Sequence, residues 1–141
     1  MPPRHQPPPE FFVDRSLGRV VVARAIRALG HSVHTMAEVY PGGRDENVRD
    51  VDWIRDADGA GWVALTKDQR ITRYPDELAA LDASTLRVFA IGNQHLTGQQ
   101  MADYYTTNMY RIVQRCRRPG PFVEVVHRAS VERRWSKGPL G

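Results

Sequence analysis

Gly61-Trp62-Val63-Ala64-Leu65-Thr66-Lys67-Asp68-Gln69-Arg70 passes from apolar to charged within one step. Trp62 to Thr66 is a β-favouring run, and Lys67-Asp68 stops it. In open α/β sheets, ligands and catalytic groups gather outside the carboxyl ends of the strands. Asp68 is therefore placed to hold a metal or meet a substrate. Working outward, Asp14 ends a similar run, Phe11-Phe12-Val13, and Asp52 lies upstream in Val51-Asp52-Trp53-Ile54. Asp14, Asp52 and Asp68 are the expected site.

The segments around this stretch alternate in type. Phe11 to Asp14 reads as a short strand, Leu17 to Leu29 as a helix stopped by Gly30, and Ser32 to Met36 as a second strand. Asn47 to about Ala57 reads as a helix, and Asp58-Gly59-Ala60-Gly61 turns into the central strand. Pro75 suits the first turn of another helix, followed by Asp76 and Glu77 where the macrodipole favours acids. Leu86 to Ile91 is a fourth strand. Thr97-Gly98-Gln99-Gln100 has the capping-box pattern and opens a long helix carrying Met101, Tyr105, Met109, Ile112, Val113 and Cys116 at helical spacing. That stripe reads as core. Phe122 to Val126 is a fifth strand. Strand and helix in alternation predict an α/β domain with a mainly parallel sheet.

Three parts are expected: a disordered proline-rich tail at 1–10, a folded domain at 11–126 and a basic C-terminal tail at 127–141. A chain of 141 residues with 41% hydrophobic and 26% charged residues suits one globular domain. No apolar run approaches the roughly 20 residues of a membrane span, and no signal peptide is visible. The single cysteine, Cys116, rules out an internal disulfide and a cysteine zinc cage, and suits a reducing cytoplasm. The net charge is +4, with arginines gathered at 111, 115, 117, 118, 128, 133 and 134. Such a surface fits a phosphate backbone or an acidic protein partner.

Converging carboxylates repel one another unless a hard dication such as Mg²⁺ or Mn²⁺ neutralises them. A cation held there activates water for phosphodiester cleavage. Arg15, Lys67 and Arg70 flank the strand ends and read as phosphate-positioning groups. The histidines show no metal-binding spacing.

Phe12-Val13-Asp14, a helix ending in Leu-Gly, Asp52-Trp53-Ile54 and Trp62-Val63-Ala64-Leu65-Thr66-Lys67-Asp68 together resemble the PIN-like nucleases, and within them the compact toxins of VapC type from bacterial toxin–antitoxin modules. The resemblance runs from Phe11 to Val126. It implies an α/β/α sandwich (PIN-like), a metal-dependent ribonuclease activity, Asp14, Asp52 and Asp68 as metal-binding acids, and a cognate antitoxin reaching the acidic groove. It also leaves room for a homodimer. Many PIN domains bring a further acid near the end of the fourth strand, where this chain has Asn93 as a neutral ligand for metal or water. A non-catalytic PIN-like module that grips nucleic acid or protein is the alternative. A phosphoacceptor receiver is set aside, because it wants a lysine at the end of its last strand and Val123-Glu124-Val125-Val126-His127 offers none.

Overall fold

The computed structural model describes residues 7–137. Its strands are β1 (Phe11–Val13), β2 (Val33–Thr35), β3 (Val63–Thr66), β4 (Arg87–Ile91), β5 (Phe122–Val126) and β6 (Val131–Ser136). Its helices are α1 (Val21–Ala28), α2 (Met36–Val39), α3 (Asp50–Ala60), α4 (Pro75–Asp82), α5 (Gly98–Thr107) and α6 (Met109–Arg115). The strands form one sheet in the order β2-β1-β3-β4-β5-β6. The first five are parallel, and β6 runs antiparallel to β5.

Side-chain alternation divides the sheet between two cores. Phe11, Val13, Leu65, Phe89, Ile91, Phe122 and Val126 face α1, α5 and α6, meeting Ile26, Tyr105 and Ile112. Phe12, Ala64, Val88 and Val123 face the other way, against Trp53 and Ile54 of α3 and Leu81 of α4. Covered on both sides, the central strands are apolar at nearly every position. The result is the three-layer α/β/α sandwich with a mainly parallel sheet.

The structure departs from the sequence reading at three places. The first helix is shorter than expected, because Arg15–Leu17 forms a separate 3-10 turn ended by Gly18 at φ 84°. A left-handed backbone there interrupts the helical path. The long helix is broken at Asn108, which is fully buried. Its side-chain Nδ2 donates to the carbonyls of Tyr104 and His127, both at 2.8 Å. A buried amide must find partners, and here they lie on both the helix and the loop after β5.

The third departure concerns the expected basic tail, 127–141, most of which is part of the fold. Val131–Ser136 adds strand β6, with Val126 opposite Val131 and Val123 opposite Trp135. The reason is Glu124, a carboxylate in β5 with no exposure. Arg115 of α6 donates to its Oε1 at 2.9 Å and Arg133 of β6 to its Oε2 at 2.6 Å. Arg115 also donates to the Val131 carbonyl at 3.0 Å, and the Arg133 guanidinium lies 4.4 Å from the Phe122 ring centre. Two arginines that read as a nucleic-acid surface are thus spent inside the molecule. At the other end, Glu10 is held by the fold, its carbonyl accepting from Val63 N at 2.8 Å. The first six residues of the expected proline-rich tail, and the final Gly138-Pro139-Leu140-Gly141, lie outside the described residues.

Glu124→Ala removes the shared partner of both arginines. Breaking a buried pair costs about 3–5 kcal/mol, and the lower figure is expected because both guanidiniums reach solvent. Urea denaturation followed by circular dichroism measures it, and an unchanged midpoint would refute a structural role for this triad.

Candidate active site at the carboxyl ends of the central strands

After β1 the chain crosses to β2 on one side, and after β3 it crosses to β4 on the other. β1 and β3 are neighbours, so their carboxyl ends flank the point where the winding reverses. In open α/β sheets ligands bind in that crevice. Asp14 directly follows β1, and its backbone N–H donates to the Leu65 carbonyl of β3 at 3.0 Å. Asp68 follows β3 by two residues.

Asp14 is 7% exposed. Its Oδ2 accepts from Ser16 Oγ and from Thr66 Oγ1, both at 2.8 Å. No arginine, lysine or histidine pairs with it among the described residues. Burial pushes its carboxyl above the ordinary aspartate range; the Ser16 and Thr66 hydroxyls oppose that push, and the charge of Asp50 adds to it. Burial without a counter-charge disfavours the ionised form.

The same hydroxyls bind the two strand ends together. Thr66 Oγ1 accepts from Asp68 N at 3.2 Å while donating to Asp14, and Ser16 Oγ accepts from Lys67 N at 2.9 Å. Asp68 Oδ1 in turn accepts from Arg70 N at 2.9 Å, closing a short turn around the carboxylate. Beneath them, the buried Tyr105 hydroxyl donates to the carbonyls of Thr66 and Phe89. Neither Ser16 nor Thr66 stands out in the sequence, since hydroxyls near strand ends read as turn residues.

Two further acids, Asp50 and Asp52, lie in the first turn of α3. Trp53 Nε1 donates to Asp50 Oδ1 at 2.9 Å, so a core tryptophan orients it. The charge of Asp50 adds to the upward push that burial exerts on Asp14. Asp52 accepts from Arg49 Nε at 3.3 Å and lines a hollow with Tyr40, Arg55 and Asp56. The Arg49 guanidinium draws its carboxyl below the usual range. The sequence reading began this helix three residues early, at Asn47, and helical spacing alone does not say which of two acids in a first turn points inward.

Of the phosphate-positioning candidates, Arg15 donates from Nη1 to the Asp45 carbonyl at 2.8 Å, holding the 44–47 turn beside the strand end. Asp45 itself, 2% exposed and paired with Arg19 at 3.1 Å, is a buried acid that the sequence did not flag. Lys67 and Arg70 stand on either side of Asp68, Arg70 exposed and Lys67 half-buried. Asn93 Oδ1 accepts from His95 N at 2.8 Å, a turn-forming bond.

Asp14, with the charge of Asp50 acting on it, offers oxygen donors and excess negative charge. That donor set suits a hard dication, which uses one or two carboxylates and keeps several waters. Among the described residues no three Asp, Glu, His or Cys side chains stand close enough together to form a complete cation cluster. Asp68 is joined to Asp14 through Thr66 rather than by direct approach.

Comparison with known proteins finds relatives of the chain. The family model described as "PIN like domain" matches residues 9–93, from the start of β1 through the end of β4. A protein of Mycobacterium tuberculosis (strain ATCC 25618 / H37Rv) named "Putative ribonuclease VapC45" is 33% identical over 123 residues, covering 87% of this chain and 89% of its own length. No solved structure gives a significant match. No helix among the described residues is long and apolar enough to cross a membrane.

Asp14→Asn keeps an oxygen acceptor for Ser16 and Thr66 and removes the charge. In the wild type the folded-state carboxyl titrates above its unfolded value. Folding is therefore disfavoured by this group at neutral pH and regains that stability as pH falls through the raised folded pKa. In EDTA the variant is expected to melt above wild type at about pH 7, with the gap closing toward about pH 4. Equal melting temperatures at neutral pH would show that burying this carboxylate carries no penalty.

Proposed function

The chain belongs to the PIN-like domain family, and on that premise we propose that it is a metal-dependent endoribonuclease acting as the toxin of a toxin–antitoxin pair. The observation that carries this reading is Asp14: a carboxylate buried at the switch point of the sheet, with no cationic partner among the described residues and with the charge of Asp50 acting on it. A relative named as a ribonuclease of VapC type supports RNA as the substrate and a cognate antitoxin as the partner. The lone cysteine, Cys116, agrees with a cytoplasmic setting.

In this reading Asp14 and Asp50 hold Mg²⁺ or Mn²⁺, with Asp68 on the open side of the pair. We assign the third carboxylate to Asp50 in place of Asp52, whose oxygens already face Arg49. When bound, the dication neutralises the carboxylates, polarises the phosphodiester and lowers the pKa of water. The chain's own groups do the positioning. Ser16 and Thr66 fix the Asp14 carboxylate in one rotamer through Oδ2. Trp53 fixes Asp50, and the turn to Arg70 fixes Asp68. Arg15, Lys67 and Arg70 surround the acids and bind backbone phosphates on either side of the scissile bond, contributing affinity without reading sequence. Asn93, at the end of β4, is placed for a polar contact with the same strand of RNA.

Total bacterial RNA and single-stranded DNA are incubated with Mn²⁺ or Mg²⁺, beside an EDTA control. RNA cleavage is expected only with metal. Asp14→Asn, Asp50→Asn and Asp68→Asn are each expected to lose on the order of 100-fold, the scale on which one preorganised electrostatic group acts. Asp52→Asn is expected to stay close to wild type. Cleavage lost with Asp52→Asn and kept with Asp50→Asn would return the third position to Asp52. RNA bound but never cut, with all four variants alike, would leave a non-catalytic module.

A further inference from the structure

Beyond the acids, the same edge of the sheet carries a groove that has no part in holding a cation. One hollow of about 450 Å³ opens at the carboxyl ends of β4 and β5, lined by Gly92, Asn93, His95, Tyr104, His127 and Arg128. A second, of about 530 Å³, is lined by Leu96, Gln100, Asp103 and Thr107 and shares Tyr104 and Arg128 with the first. One ring and one guanidinium line both hollows, which adjoin there as a two-part trough.

The trough is built by specific contacts. Gly92 lies so close to the His127 ring that a Cβ there would stand 2.8 Å from Nδ1 and 2.9 Å from a Val125 methyl. Only glycine lets the His127 ring lie against the end of β4. Asn108, the residue that breaks the long helix, grips the His127 and Arg128 carbonyls from below, at 2.8 and 3.4 Å. The loop that presents Arg128 is thus tied to the helix that presents Tyr104. His127 pairs with Glu132 at 3.0 Å. Arg128 is exposed and forms no ion pair among the described residues. Tyr104 is half-buried, one part packed on the core and the rest in the trough.

Two hydrogen bonds join the trough to the acidic site. Gln94 Nε2 donates to the Lys67 carbonyl at 2.8 Å, and Gln69 Nε2 to the Gly92 carbonyl at 3.4 Å. β3 and β5 are two strand spacings apart, roughly 10 Å, so a chain crossing Asp68 runs into the trough.

We propose that this trough binds a nucleotide of single-stranded RNA flanking the one that is cut, with its base on the Tyr104 ring and its phosphate at Arg128. The proposal rests on the ribonuclease reading of the neighbouring acids. A half-exposed ring beside an unpaired guanidinium suits a nucleotide, because a base stacks on the one while its phosphate meets the other. Asp103, held by Gln99 at 2.9 Å, supplies an acceptor for the exocyclic amines of a base.

The test separates binding from cleavage. Full-length protein in EDTA, where no cutting is expected, is titrated into a fluorescein-labelled single-stranded RNA and followed by anisotropy. Arg128→Ala and Tyr104→Leu are each expected to weaken binding by about 5-fold or more, and Tyr104→Phe to retain it. Arg128→Ala should also reduce the slope of log affinity against log salt by about 0.7, the loss of one phosphate contact on a single strand. Should Tyr104→Leu fail to fold, Arg128→Ala and its salt slope decide alone. Wild-type cleavage with Mn²⁺ alongside unaltered RNA binding by the variants would overturn the subsite and leave the nuclease intact. Weakened binding in the variants with no wild-type cleavage would remove the nuclease and keep the trough as an RNA site. Unaltered RNA affinity with loss of a poly-glutamate peptide from Arg128→Ala would overturn it in favour of protein docking.

Discussion

Asp14 is a carboxylate removed from water at the place where the sheet reverses its winding, with hydroxyls for company and no cationic partner among the described residues. Much of the local structure exists to hold it there. Its own backbone N–H closes the gap between β1 and β3, Ser16 and Thr66 tie its oxygen to the following loop, and Tyr105 secures the carbonyl of Thr66 from beneath. Asp50, turned inward by Trp53, worsens the charge at that point instead of relieving it. A pair of like charges held this way is a standing penalty on the folded chain. Such penalties are found where binding later offsets them, because a dication that prefers the folded state stabilises it by mass action.

Glu124 shows the same chemical problem solved the other way. It has no exposure at all, yet Arg115 and Arg133 neutralise it from two different elements, and the antiparallel strand β6 is anchored in the process. One buried acid is paired with cations and is structural. The other is left without and lies in a crevice. The difference decides which of them is available to a ligand, and burial alone would have treated the two alike.

Much of the architecture was legible in the residues. The apolar runs at Phe11, Val63, Leu86 and Phe122, each ended by a polar or turn residue, mark strands covered on both faces, and the Thr97 to Gln100 box opens its helix as read. That Asp14 and Asp68 follow strand ends could be read, because strand ends are visible where apolar side chains stop. That Asp50 meets Trp53 while Asp52 meets Arg49 could not, because both acids lie in the first turn of α3 and share its local pattern. β6 was hidden for a related reason. Val131-Glu132-Arg133-Arg134-Trp135 alternates as a strand should, but its inward residue is an arginine whose partner, Glu124, sits in another element. Pairings between distant residues leave no local mark.

Asn108 illustrates how such a pairing reaches function. On its helix it reads as a weak residue within an apolar stripe, yet its amide reaches across to the loop after β5. A leucine at that position would continue the helix and release the loop. That amide ties the helix carrying the ring of Tyr104 to the loop carrying the guanidinium of Arg128, next to acids that a different pair of strands supplies. Asp14 and Thr66 bring buried polar groups to this carboxyl edge of the sheet, while both faces of β3 and β4 pack as ordinary apolar core. That asymmetry is what a fold shows when one edge is kept for a ligand and the rest is kept for stability.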